Sequence, residues 1–319
     1  MSSLIEQAAL RLEQLRQAGV TVPAVESDLV MAPGSPKRSE TMPPRADVQV
    51  FPKPSGMAEA ALSRRVELDL AKLSQTGLVT PNAPRSHLAD QYRVLKRPLI
   101  TNALGRGAST IAHGNLIMIT SAMPGEGKSF TSINLAMSIA AELDHTVMLV
   151  DADVARPSVL RVLGLPSGPG LLDLLEGKAE MADVLLRTNV DKLTILPSGS
   201  PHPRATELLA SDAMSKLLDD MATRYSDRII LFDSPPILMT TEARVLATHM
   251  GQIVVVVHAD RTLQSSVQQA LAAIESCPVK MMVLNKARSD AGGTYGYSYG
   301  YGYGYGYGYN NNPEAKQEG

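Results

Sequence analysis

Cysteine is almost missing from this sequence. Cys277 stands alone among 319 residues, so no disulfide framework can form and a reducing cytoplasm is the natural setting. Long apolar runs are missing too. Nothing approaches the ~20 residues a membrane-spanning helix needs, which predicts a soluble chain that meets a membrane only through a partner. The opening MSSLIEQAAL has no basic region followed by an apolar core, so no secretory signal is expected. A surplus of either charge is also lacking. Thirty Lys and Arg face 32 Asp and Glu, for a net charge of −2, which leaves no electrostatic ground for nucleic acid as a partner. His113, His202 and His258 show no metal-ligand spacing.

Tyrosine is scarce everywhere but one place. Of ten tyrosines, eight fall at every second position near the C-terminus: Tyr295, Tyr297, Tyr299, Tyr301, Tyr303, Tyr305, Tyr307 and Tyr309, separated by glycine or serine. Glycine offers the rings nothing to pack against and costs the most backbone entropy to order. The stretch therefore reads as a flexible tail, a self-associating segment or a substrate.

The remainder divides by texture. Residues 1–19 predict a short amphipathic helix, with Ser3 and Glu6 at capping-box spacing and Leu4, Ala8, Leu12 and Leu15 in one stripe. Residues 20–84 read as a proline-rich linker, with a helical piece at LSRRVELDLAKLSQTG. From 85 to 288, short apolar runs alternate with helical stretches, and 289–319 form the tail. The runs are NLIMITS (115–121), TVMLVD (146–151), LTILPSG (193–199), RIILFDSPP (228–236), GQIVVVVHAD (251–260) and VKMMVLN (279–285). They are nearly continuous rather than alternating, as in strands buried on both faces of a parallel sheet. The fold class is α/β, a doubly wound and mainly parallel sheet.

The first run leads into SAMPGEGKSFTSINLAMSIA, a strand, a glycine-rich turn and a helix opening on Gly-Lys-Ser. That is the context of a phosphate-binding P-loop. Pro124, Gly125, Glu126, Gly127, Lys128, Ser129 and Phe130 would form the nucleotide-binding turn, with the backbone N–H groups of Gly125 to Ser129 wrapping a triphosphate at the helix N-terminus. Lys128 would bridge the β- and γ-phosphates, and Ser129 would meet Mg²⁺. Ala122 stands where the motif's first glycine is usual. Two other strands end in Asp151 with Asp153 and in Asp233, on the rim where open parallel sheets bind ligands. Asp151 and Asp153, two apart, are expected to face one side. Three carboxylates there would repel one another unless a divalent cation joined them.

SAMPGEGKS, LVDADVARP and ILFDSPP, with GLLDLLEG, LTILPSGSPHPRATELL, VVVVHADRT and the tyrosine cluster, resemble the P-loop family of bacterial tyrosine kinases. Within it the resemblance is to exosortase-associated tyrosine autokinases, found with exopolysaccharide export genes. The resemblance implies ATP as phosphoryl donor with Mg²⁺, Lys128, Ser129, Asp153 and Asp233 around phosphate and metal, and Asp151 as acceptor of the tyrosine proton. It places Asn285 where adenine is commonly read. It also implies that the eight tail tyrosines are acceptors, phosphorylated in trans within a homo-oligomeric ring. DQYRVLK, with Asp90, Arg93 and Lys96, is similar to the family's ring-forming helix; an ordinary solvated helical face is the other reading. Arg156 stands one place beyond the family's usual arginine, where this chain has Ala155, and Glu242 replaces an aspartate. The implied partners are a transmembrane polysaccharide co-polymerase as activator, recruiting the chain to the inner face of the cell membrane, and a phosphotyrosine phosphatase. Two rivals stand beside this reading. One is a septum-site or chromosome-partitioning ATPase switch, whose signature lysine is here Met123, and the other is a nucleotide-binding regulator without kinase activity.

Overall fold

The computed structural model describes residues 64–81, 86–224 and 228–287. The helix expected over 1–19, most of the linker and the tyrosine tail lie outside the described residues.

Eight strands form one sheet in the order β1-β4-β5-β3-β6-β2-β7-β8. They are β1 (Arg64–Val66), β2 (Leu116–Ser121), β3 (Thr146–Asp151), β4 (Leu186–Thr188), β5 (Leu193–Leu196), β6 (Arg228–Asp233), β7 (Gln252–His258) and β8 (Val279–Asn285). Every pairing is parallel except β4 with β5. The doubly wound, mainly parallel architecture expected from the apolar runs is therefore present. Side chains of the central strands alternate between two cores. Met118, Met148, Val150, Ile230, Phe232 and Val255 lie on one face, and Ile117, Ile119, Val147, Leu149, Leu231 and Val254 on the other. Helices cover both faces, so both sets are buried, and this is why the sequence shows no polar alternation.

Helix α1 (Leu70–Gln75) is short. Two longer helices fix the functional end, where α2 (His87–Ala103) lies across α3 (Lys128–Ala140). Sandwiched between the sheet and α2, α3 is buried along nearly its whole length. The chain leaves β2 toward β3 on one side, while β7 and β8 occupy the other side. The turn after β2 thus sits at a topological switch point, where open α/β sheets form their ligand crevice.

Three expectations are corrected. The piece read as helical near 62–77 holds strand β1 followed by α1. Leu68, Leu73 and Leu78 are 3–4% exposed in the core, so the folded unit includes residues assigned to the linker. Asn189 fastens this segment by exchanging hydrogen bonds with the Leu68 backbone, at 2.9 Å and 3.0 Å. VKMMVLN is an edge strand covered on one face only, with Met282 and Leu284 exposed. Lys96, placed on a subunit-joining surface, is instead buried. Its ammonium meets Glu142 at 2.6 Å and donates to the Ser138 carbonyl at the end of α3, where the helix dipole favours a cation. Asp90 and Arg93 remain exposed and pair with each other.

Candidate active site

The phosphate loop runs from the end of β2 into α3. Gly125 and Gly127 have φ of 81° and 101°, in the left-handed region that favours glycine. Gly127 is doubly constrained, since a Cβ there would lie 2.1 Å from the Asn285 side-chain nitrogen. Past Gly127 the helix begins at Lys128 with no side-chain cap, leaving its first N–H groups directed at the crevice.

Beside the loop opens a cleft of about 510 Å³, lined by Pro124, Gly125, Gly127, Lys128, Ser129 and Phe130 on one side. Asp153, Ala155 and Arg156 contribute from the segment after β3, and Pro235 and Pro236 from the segment after β6. Arg156 does reach the cleft, and its backbone N–H also donates to the Asp153 carboxylate at 3.2 Å. Sequence reasoning missed Ser158, Arg161, Val162, Met239 and Thr240, which complete the wall. They follow recognisable motifs by a few residues but carry no spacing signal of their own.

The three aspartates converge, in unequal positions. Asp151 and Asp233 are register partners at the ends of adjacent strands, 1% and 0% exposed. One Asp151 oxygen accepts the Ser158 and Val159 N–H groups at 3.0 Å and 2.9 Å. Asp233 accepts from the Ser132 hydroxyl at 3.0 Å. Burial and the facing Asp233 push Asp151 up to about 7. Burial likewise raises Asp233 to about 6, against the pull of the Ser129 and Ser132 hydroxyls and of Lys128. Asp153 is raised by partial burial, with Lys128 opposing. Asp153 lines the cleft, whereas Asp151, like Asp233, is buried and absent from its wall. The expected common facing of Asp151 and Asp153 is not seen, because two-residue alternation holds only inside a strand and β3 ends at Asp151.

The site fits a magnesium ion of modest protein coordination. Oδ1 of Asp151 and Oδ2 of Asp233 are buried without a hydrogen-bond partner, and the Ser129 hydroxyl, which accepts from Ser158 at 2.6 Å, belongs to the same cluster. Among the described residues no three metal-binding side chains stand close enough to hold an ion alone. A magnesium ion would take one or two of these groups and complete its shell with phosphate oxygens and water.

Two predicted site residues lie elsewhere. Asn285 does not line the cleft. Its amide donates to the Glu126 carbonyl at 2.8 Å and accepts from the Lys286 N–H at 2.9 Å. Glu126 is 3% exposed and turned away from the cleft, its carboxylate accepting the Met123 N–H at 2.7 Å and the Thr262 hydroxyl.

Fold and cleft together define a P-loop nucleotide-binding α/β protein. A family model described as an AAA domain matches residues 114–284. Tyrosine-protein kinase YwqD of Bacillus subtilis is 31% identical over 225 residues, covering 70% of this chain and 91% of the relative. The kinase ptk of Acinetobacter johnsonii is 33% identical over 188 residues, 58% of this chain and only 25% of that longer protein. The crystal structure of the VpsO kinase domain superposes with a TM-score of 0.51 at 27% identity, covering 64% of this chain and all of that one. This chain belongs to the P-loop family of bacterial tyrosine-protein kinases.

Proposed function

We propose that the protein transfers the γ-phosphoryl group of ATP to its own C-terminal tyrosines. The observation that carries this reading is the cleft, where the phosphate loop faces Asp153 and Arg156 in a chain that ends in eight regularly spaced phenols. The N–H groups of the loop and Lys128 hold the phosphates. Ser129, Asp233 and the unpartnered oxygen of Asp151 would hold magnesium, which when bound would neutralise charge on the transferring group. Asp153, at the cleft wall with a raised pKa, accepts the phenolic proton. Arg156 supplies positive charge beside it. Nothing covalent forms on the protein before transfer, so catalysis rests on positioning and electrostatics.

Transfer in trans within a homo-oligomer, regulation of exopolysaccharide export and recruitment to the inner membrane face by a transmembrane co-polymerase complete the proposal, with a phosphotyrosine phosphatase as counterpart. Most of the A. johnsonii kinase lies outside the part that this chain matches. Among the described residues no helix is long and apolar enough to cross a membrane.

Incubation of the purified protein with ATP and Mg²⁺, followed by phosphotyrosine blotting, tests the reading. Labelling is expected, and replacement of all eight tail tyrosines by phenylalanine should remove most of it. Free phosphate without phosphotyrosine would point to an ATPase switch instead, and neither product to a non-catalytic regulator. Undiminished labelling of the phenylalanine variant would refute the tail assignment.

A further inference from the structure

The outer side of the phosphate loop is fastened to the end of β8 by contacts that the proposed chemistry does not use. The Asn285 amide donates to the Glu126 carbonyl at 2.8 Å, and the Lys286 ammonium donates to the preceding carbonyl, that of Gly125, at 2.9 Å. Both donors are themselves placed. Asn285 Oδ1 accepts the Lys286 N–H, and the Asn285 carbonyl accepts the Ala259 N–H at 2.9 Å. Lys286 takes φ of 58°, a left-handed conformation uncommon for a residue with a side chain. From the neighbouring turn, Thr262 holds the Glu126 carboxylate while its hydroxyl accepts the His258 N–H at 3.1 Å.

The geometry points to Asn285 and Lys286 as positioning residues that aim the phosphate loop's N–H groups into the cleft. In a trans peptide the carbonyl and the next residue's N–H point in opposite directions. Holding the Gly125 and Glu126 carbonyls outward therefore turns the Glu126 and Gly127 N–H groups inward, toward the phosphates. Left free, these two planes could rotate about the flanking glycines, whose backbone is the least restricted in the chain. The clamp removes that freedom before nucleotide arrives, so less ordering entropy is lost on binding. The close approach of Asn285 to Gly127 makes the fit specific, since any side chain at 127 would displace the amide.

The inference rests on nucleotide binding at the loop, and its test separates the two. Mg·ADP affinity is measured by calorimetry for the full chain and for Asn285→Ala, Lys286→Met and Lys286→Arg, beside the KM for ATP and kcat of tail phosphorylation. One lost hydrogen bond of ordinary strength corresponds to roughly 2- to 10-fold. Asn285→Ala is expected to weaken Mg·ADP about fivefold and Lys286→Met about threefold. Lys286→Arg, which keeps a donor, should restore most of that loss, and KM should rise with little change in kcat. Lys286 is exposed, so its variants report even if Asn285→Ala folds poorly. Folded variants that bind Mg·ADP as tightly as the parent would overturn the clamp. A parent that binds no Mg·ADP would overturn the nucleotide reading itself, and the clamp with it.

Discussion

Asp151 and Asp233 sit opposite each other on neighbouring strands, and among the described residues neither forms an ion pair with a cation. Such a pair holds its protons more tightly in the folded chain than in the unfolded one. Asp151 goes from an ordinary 3.8 to about 7. Its contribution to stability is thus complete below pH 3.8 and disappears as pH rises through about 7. Without nucleotide or Mg²⁺ the protein should lose stability over that window. Asp151→Asn keeps an oxygen for the Ser158 and Val159 N–H groups and removes the titration. It should flatten the pH dependence and stabilise the metal-free protein at pH 8 by up to about 4 kcal/mol. Urea unfolding at pH 5 and pH 8 measures the difference, and equal slopes in parent and variant would contradict the assignment. All three aspartates were legible in the sequence because each closes or follows an apolar run. Which one faces the cleft was not, because the turn after β3 obeys no simple period.

Helix α2 carries the clearest contrast between pattern and environment. Its charges looked alike in DQYRVLK, yet Asp90 and Arg93 face solvent while Lys96 points inward to Glu142 and the end of α3. Burial is set by where α3 lies, and a single helix's periodicity does not record that. Glu142 is held below the usual carboxylate range, burial being outweighed by the hydrogen bond and charge of Lys96 and by Arg97. Lys96→Met should therefore cost about 1–3 kcal/mol of stability, less than a fully enclosed pair because Arg97 still meets Glu142 at 3.0 Å. Denaturant unfolding checks this, and an unchanged midpoint would remove the structural role. The central strands were readable for the opposite reason, since burial on both faces leaves an unbroken apolar signature. Strands β1 (RRV) and β4 (LRT) have three residues each and no signature at all. They exist because each finds a neighbour in the sheet.

At the scale of the whole molecule, the question is whose cleft receives the tail. The 22 residues from Arg288 to Tyr309 would span about 25 Å as a glycine-rich coil and about 70 Å fully extended, enough for the chain's own site or a neighbour's. The last described strand ends against the outer side of the phosphate loop, on Glu126, which does not line the cleft. On the proposed reading each added phosphate would bring about −1.5 to −2 charges and so favour release of a modified tail from a site lined by aspartates. Transfer between subunits makes two predictions. A Lys128→Ala chain with an intact tail should be labelled when mixed with a catalytically intact chain whose eight tail tyrosines are phenylalanine. The rate per chain should also rise with protein concentration. If the subunits meet through the exposed side of α2, Arg93→Glu should lower both the assembly size in sedimentation and the mixed labelling, with Mg·ADP affinity unchanged, because Arg93 lies outside the nucleotide cleft. No label on the Lys128→Ala chain, together with a rate independent of concentration, would establish transfer within a single chain and leave the α2 surface without a part in the reaction.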